Sequence, residues 1–314
     1  MKHKASTYCE EAIQIVELSS QNSTIKIAIN IGCTLYSWKY KDTEIIYFND
    51  TLKNYQTHKK LAGVPFMHPW SNRLESDFIF EKAFTTNDAI ENILHRDANN
   101  LPLHGLILKS TQWKLETLKE EENYASMRAE IIFDDENLLT IFPYKHKVQL
   151  EITLENDMVS YSVQVDSLDD KPMPLTFGFH PYFNLQNSTE NKLTIPDSVL
   201  ALVDDKMIPT YQFLQSHLLF DIKNNVLDID NRKIDHAFIH TNNEVNYKLE
   251  TTHYNVEFIL DNDYKVVQIY YPNNEEKPYI CIEPMLAKAN AFNHSKYLET
   301  KRNQYTINFK MSAY

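Results

Sequence analysis

The feature that most limits what this chain can become is a two-residue hydrophobic alternation that recurs along most of its length. Residues 23–30 set Ile25, Ile27 and Ile29 against Thr24, Lys26 and Ala28. Residues 147–155 set Val148, Leu150, Ile152 and Leu154 against Lys147, Gln149, Glu151 and Thr153, and residues 158–166 repeat the pattern with Val159, Tyr161, Val163 and Val165. In an extended strand successive side chains point to opposite faces, so each such segment buries one face and offers the other to polar surroundings. Asn156-Asp157 between two of these segments reads as a hairpin turn. Residues 247–260 and 265–271 read as a second pair around Asp261-Asn262-Asp263, and residues 305–311 as a last strand. Helical periodicity is scarce; its best stretch, residues 87–94, amounts to a turn or two. No Pro/Gly/Ser linker, low-complexity tract or solenoid-length repeat divides the chain. The expectation is an all-β fold over residues 1–314 as one domain: a large antiparallel two-sheet β-sandwich, with its ligand face on one sheet.

Glycine is nearly absent. The chain holds 4 in 314 residues, where ordinary usage of about 7% gives roughly 22. The survivors should stand where no side chain fits, at positive φ or where a backbone or ligand comes close. They are Gly32, Gly63, Gly105 and Gly178. Three of them sit in or just before segments that carry His or Asn-Arg: Gly63 before Met67-His68-Pro69-Trp70-Ser71-Asn72-Arg73, Gly105 after His104, and Gly178 before His180. Scattered along the chain, these are the pieces of a site that the fold must gather.

The most informative of these stretches is Pro174-Leu175-Thr176-Phe177-Gly178-Phe179-His180-Pro181-Tyr182-Phe183-Asn184-Leu185. Extended, it turns Phe177 and Phe179 into a core and Thr176, Gly178 and His180 the other way. Pro181 cannot donate to a central ladder, so the strand should stop at the histidine. Taken alone, a histidine at a strand end is ordinarily a satisfied structural residue. A second stretch, Pro278-Tyr279-Ile280-Cys281-Ile282-Glu283-Pro284-Met285, places Ile280 and Ile282 on the core face and Glu283 with Tyr279 and Cys281 on the other. A carboxyl ending an apolar strand is desolvated and its pKa pushed upward; an ion-paired carboxylate at a sheet edge reads equally well. Asn72-Arg73 supplies a rigid fork of donors suited to sugar hydroxyls or oxyanions, or a solvated surface arginine. Asp235 lies between apolar neighbours and is ambiguous by itself.

Composition narrows the partners. A net charge of -12 argues against nucleic acid or an anionic membrane surface. The 3 cysteines are far apart in sequence and form neither a metal-ligand spacing nor a disulfide framework, which suits buried free thiols in a reducing compartment. With no apolar signal region and no run approaching the ~20 residues of a membrane span, the expected location is the cytoplasm.

Taken together and in order, these motifs resemble the aldose 1-epimerase (galactose mutarotase) family over most of the chain. Asn72-Arg73 is similar to the Asn-Arg of the family's first sugar-binding loop, and His104-Gly105 to its His-Gly. His180-Pro181-Tyr182-Phe183-Asn184-Leu185 is similar to its most specific signature, His-x-Tyr-Phe-Asn-Leu. Asp235 matches its acidic binding position, and Glu283-Pro284-Met285 with Asn290-Ala291-Phe292-Asn293 its terminal motif. The resemblance implies a galactose mutarotase-like supersandwich that interconverts sugar anomers, with Glu283 as general base and His180 as general acid. Asn72, Arg73, His104 and Asp235 then hold the sugar, and neither metal nor organic cofactor is implied. Members acting on hexose 6-phosphates are expected to carry an arginine soon after His-Gly. Here the run is His104-Gly105-Leu106-Ile107-Leu108-Lys109, which leaves Arg96 and Lys109 as the phosphate ligands to consider. A sugar-binding module without catalysis is the alternative from a different class. A glycoside hydrolase is another, and would need a second acid, for which Asp235 is the candidate.

Overall fold

The computed structural model describes residues 3–80, 82–170, 172–240, 245–294 and 302–314. Among them, antiparallel strands form three sheets of nine, eight and five strands, with two further small pairs. The alternating segments 147–155 and 158–166 lie in His146–Glu155 and Met158–Ser167, adjacent strands inside the nine-stranded sheet. Their apolar rows, Val148 to Leu154 and Val159 to Val165, are buried, and most of the intervening residues are only partly exposed. The expected last strand runs as Gln304–Ala313 and pairs with Met158–Ser167.

The eight-stranded sheet lies across the core. Its strand order is Pro209–Gln215, Val199–Val203, Ile234–Ile239, Val266–Tyr271, Tyr279–Met285, Gly178–Phe179 and Phe66–Met67, with Tyr182–Asn184 also paired to Tyr279–Met285. Between the two large sheets Phe179 packs on Tyr161 and Phe309 of the nine-stranded sheet, at 5.0 and 4.8 Å between ring centres. Burying each such ring contributes about 1.5–3 kcal/mol. Phe177 joins the same core, as the alternation around Gly178 requires. The five-stranded sheet, from Lys4–Glu10 to Thr43–Glu44, adds Val16, Leu18, Ile25, Ile27 and Trp38 to that core; the two-sheet expectation did not include it.

Two local expectations are corrected. Residues 247–260 are not one strand but two, Val245–Glu250 and Asn255–Leu260, paired through a turn that the Thr251 hydroxyl closes by donating to the Tyr254 carbonyl at 2.6 Å. The turn at 261–263 is therefore no hairpin: it carries the chain from the nine-stranded sheet into Val266–Tyr271 of the eight-stranded one. Asp261 anchors that corner by accepting from the backbone and side-chain N–H groups of Asn308, both at 2.9 Å. The strand bearing Glu283 likewise continues through Pro284 to Met285. Its neighbour on one side breaks at His180-Pro181, opposite Glu283 and Ile282.

A pair of histidines ties the two large sheets together beneath the site. His68 Nε2 lies 2.7 Å from His146 Nε2, with both side chains fully buried. His146 Nδ1 lies 2.8 Å from the Tyr144 carbonyl, which can only accept, so that nitrogen carries the proton. His146 Nε2 then accepts from His68 Nε2–H, and both rings are neutral.

Candidate functional site

Strand register assembles the centre of the site. Tyr182 pairs with Cys281 and Gly178 with Met285, so the same register sets His180 directly opposite Glu283 on one face. Directly opposed side chains are near enough to interact, and His180 Nε2 stands 3.3 Å from Glu283 Oε1. On the other flank Glu283 pairs with Gln268, and Tyr270 pairs with both Cys281 and Asp235. Gln268 donates to Asp235 Oδ1 at 2.6 Å, closing a polar row across the sheet.

Loops bring the rest. His104, at φ 64°, donates its backbone N–H to the Asn72 carbonyl at 2.9 Å. Asn72, at φ 58°, returns its N–H to His104 Nδ1 at 3.3 Å. Left-handed backbone in non-glycine residues stores strain and is frequent at functional sites. The bond to Nδ1 fixes the proton of a neutral His104 on Nε2. Gly105, at φ 80°, allows this approach, since a Cβ there would run into the backbone of His68. At Gly178 a Cβ would meet the Pro284 carbonyl oxygen at 2.8 Å, in the strand that carries Glu283.

All six candidate residues, Asn72, Arg73, His104, His180, Asp235 and Glu283, line one cleft of about 370 Å³. Sequence reasoning missed Gln268 and the wall formed by Tyr182, Tyr270 and Tyr279, which line the same cleft. Tyr182 lies flat against the His180 ring, 4.5 Å between centres and 7° between planes, while His104 meets it edge-on at 5.1 Å. Tyr279 packs on Tyr182 and is itself backed by Tyr47, at 5.0 and 4.9 Å. Tyr182 and Tyr279 stood inside the quoted motifs. Gln268 had only its polar place among Val267 and Ile269 as a signal.

Burial governs the protonation of the pair. It raises the Glu283 pKa well above the usual carboxylate range, helped by Asp235 and opposed by Arg73. It lowers His180 to about 3. Both shifts disfavour charge, so burial favours a protonated Glu283 beside a neutral His180. Glu283 Oε2 and His180 Nδ1 are buried without protein partners. Asp235 is also raised by burial, and His104 lowered well below its usual value.

The two cations considered for a phosphate are spent elsewhere. Arg96 reaches the cleft, but its guanidinium bonds Asp77 at 2.8 and 3.1 Å, Glu91 at 2.8 and 3.2 Å, and the Asn100 carbonyl at 3.1 Å. That uses all of an arginine's donors. Lys109 lies away from this cleft and gives its three N–H groups to the carbonyls of Tyr55, His58 and Lys60 at 2.6, 2.6 and 2.7 Å.

The family described as Aldose 1-epimerase matches residues 14–303 of the chain. The chain belongs to the aldose 1-epimerase family. Solved structures share its fold at low sequence identity. A galactose mutarotase-like protein from Clostridium acetobutylicum superposes with a TM-score of 0.85 at 17% identity, covering 100% of this chain and 99% of the other. A galactose 1-epimerase from Lactobacillus acidophilus gives 0.77 at 15%, covering 100% and 98%. A putative aldose 1-epimerase from Escherichia coli K12 gives 0.72 at 13%, covering 99% of each. The all-β reading and the family resemblance both hold. No helix among the described residues is long and apolar enough to cross a membrane.

Proposed function

We propose that this protein is an aldose 1-epimerase that interconverts the α and β anomers of a free aldose by ring opening and reclosure. The observation that carries the reading is the opposed pair His180 and Glu283, 3.3 Å apart in the floor of a polar cleft. Opening the ring requires a proton to leave the O1 hydroxyl and another to reach the ring oxygen. Glu283 takes the first and His180 gives the second. The C1–O5 bond breaks, the aldehyde turns about C1–C2, and both proton transfers run in reverse as the ring closes on its other face. After opening, Glu283 is protonated and His180 neutral, which is the form that burial favours. Ring opening therefore starts from the ionised pair, which burial disfavours, and is drawn toward the open-chain stage by the return to the neutral one. Arg73, His104, Asn72 and Asp235 orient the sugar, and Tyr182, Tyr270 and Tyr279 offer ring faces to its C–H edges.

The consumed donors of Arg96 and Lys109 favour a neutral sugar over a 6-phosphate. Polarimetry of freshly dissolved α-glucose, α-galactose and their 6-phosphates tests both statements. The expected result is catalysed mutarotation with a higher kcat/KM on a free sugar. Sugar binding without any rate acceleration would replace the enzyme by a binding module, and a kcat/KM favouring the phosphate would overturn the substrate choice.

A further inference from the structure

We infer that Asp97, outside the cleft, is a positioning residue that aims Arg73 at the sugar; the inference rests on the sugar-orienting role proposed for Arg73. Asp97 Oδ2 accepts from Arg73 Nε at 2.7 Å, and the Asp97 carboxylate is 7% exposed. Asn72 Oδ1 accepts from Arg73 Nη1 at 3.0 Å. A guanidinium has five N–H donors; with one Nε and one Nη1 donor held in these bonds, the others remain for a ligand in the cleft that Arg73 lines. The backbone is pinned as firmly, since the Asn290 N–H donates to the Arg73 carbonyl at 2.7 Å and Arg73 bridges to Leu103.

Asp97 is itself immobilised by its turn. Its Oδ1 accepts from the N–H groups of Asn99 and Leu101 at 2.8 and 2.9 Å, and the backbone N–H of Asp97 donates to the Leu101 carbonyl at 3.0 Å. One carboxylate oxygen thus builds the turn and the other holds the arginine. An unheld arginine samples many rotamers, and a ligand must then order it on binding. Held from behind, the fork meets the sugar already aimed.

This division of labour gives a clean variant. In Asp97→Asn the Oδ1 atom still closes the turn, while an NH₂ group replaces the oxygen facing Arg73 Nε–H, setting donor against donor. The test is a double-mutant cycle of Asp97→Asn with Arg73→Ala. It is read as kcat/KM by polarimetry on galactose and glucose, and as Kd for the same sugars by calorimetry. In the wild-type background Asp97→Asn should lower kcat/KM roughly 10- to 100-fold, with a rise in KM and a melting temperature close to wild type. In the Arg73→Ala background the same substitution should change kcat/KM by less than about twofold, because there is no guanidinium left to aim. An undiminished loss in that background would make Asp97 a structural residue of its turn and overturn the inference, as would wild-type kinetics in Asp97→Asn alone. If the protein bound sugar without turning it over, the Kd cycle would still decide Asp97, and the failure would belong to the proposed reaction. Absence of both binding and turnover would overturn both.

Discussion

The buried His68–His146 pair makes the fold acid-sensitive by an amount that can be worked out. In the folded protein burial lowers His146 to about 4, from an ordinary value of 6.5. Protonation would also set two N–H groups against each other across 2.7 Å. A group whose folded pKa is depressed contributes stability above its unfolded pKa, and that contribution is lost as pH falls through the folded one. The window for His146 therefore opens near pH 6.5 and closes near pH 4. Each unit of separation corresponds to about 1.4 kcal/mol, so moving from pH 7.5 to pH 5.0 costs about 2 kcal/mol at this residue alone. The perturbation is His146→Gln, whose Oε1 can still accept from His68 Nε2–H but cannot be protonated in this range. Urea unfolding followed by tryptophan fluorescence at both pH values provides the assay. At pH 7.5 the variant should be less stable by about 1 kcal/mol, for the lost bond to Tyr144. Between pH 7.5 and 5.0 it should lose about 2 kcal/mol less than the wild type. An identical pH dependence in both proteins would refute the assignment of a neutral, buried pair.

Glu283→Gln keeps the shape of the side chain but cannot accept a proton, so kcat should fall by a factor on the order of 10² to 10⁴, and His180→Asn should act similarly. The double variant should be far less impaired than the product of the singles, because the two residues serve one proton exchange; near-wild-type mutarotation in Glu283→Gln would end the acid–base reading. The pH–rate profile should be bell-shaped, with apparent values belonging to the pair rather than to either group. Tyr182→Phe should keep the stacked ring and wild-type kcat within about twofold, whereas Tyr182→Leu should lose roughly tenfold, since the imidazolium loses its aromatic face. Equal loss in both variants would instead point to the hydroxyl as the part that matters.

Much of the site could be read from the chain because each motif is local. The alternation of Phe177 and Phe179 with Gly178 and His180, and of Ile280 and Ile282 with Cys281 and Glu283, already states which side chains leave the core. A shortage of glycine marked the places where backbones crowd, and Gly105 against His68 bears that out. The order of the motifs was enough to indicate the family. What alternation cannot encode is the partner across the strand. That His180 faces Glu283 follows from the pairing of Tyr182 with Cys281, nearly a hundred residues away in sequence. The break at 251–254 and the change of sheet at 261–263 were invisible for the same reason, since a strand keeps its period whichever sheet it enters. Whether a cation is available is also a tertiary fact. Arg96, Lys109 and Arg73 look alike in a sequence, yet the fold spends every donor of the first two on its own oxygens. On Arg73 it uses Asp97 and Asn72 and leaves donors over, because hydrogen-bond partners are assigned by distance in space and not by distance along the chain.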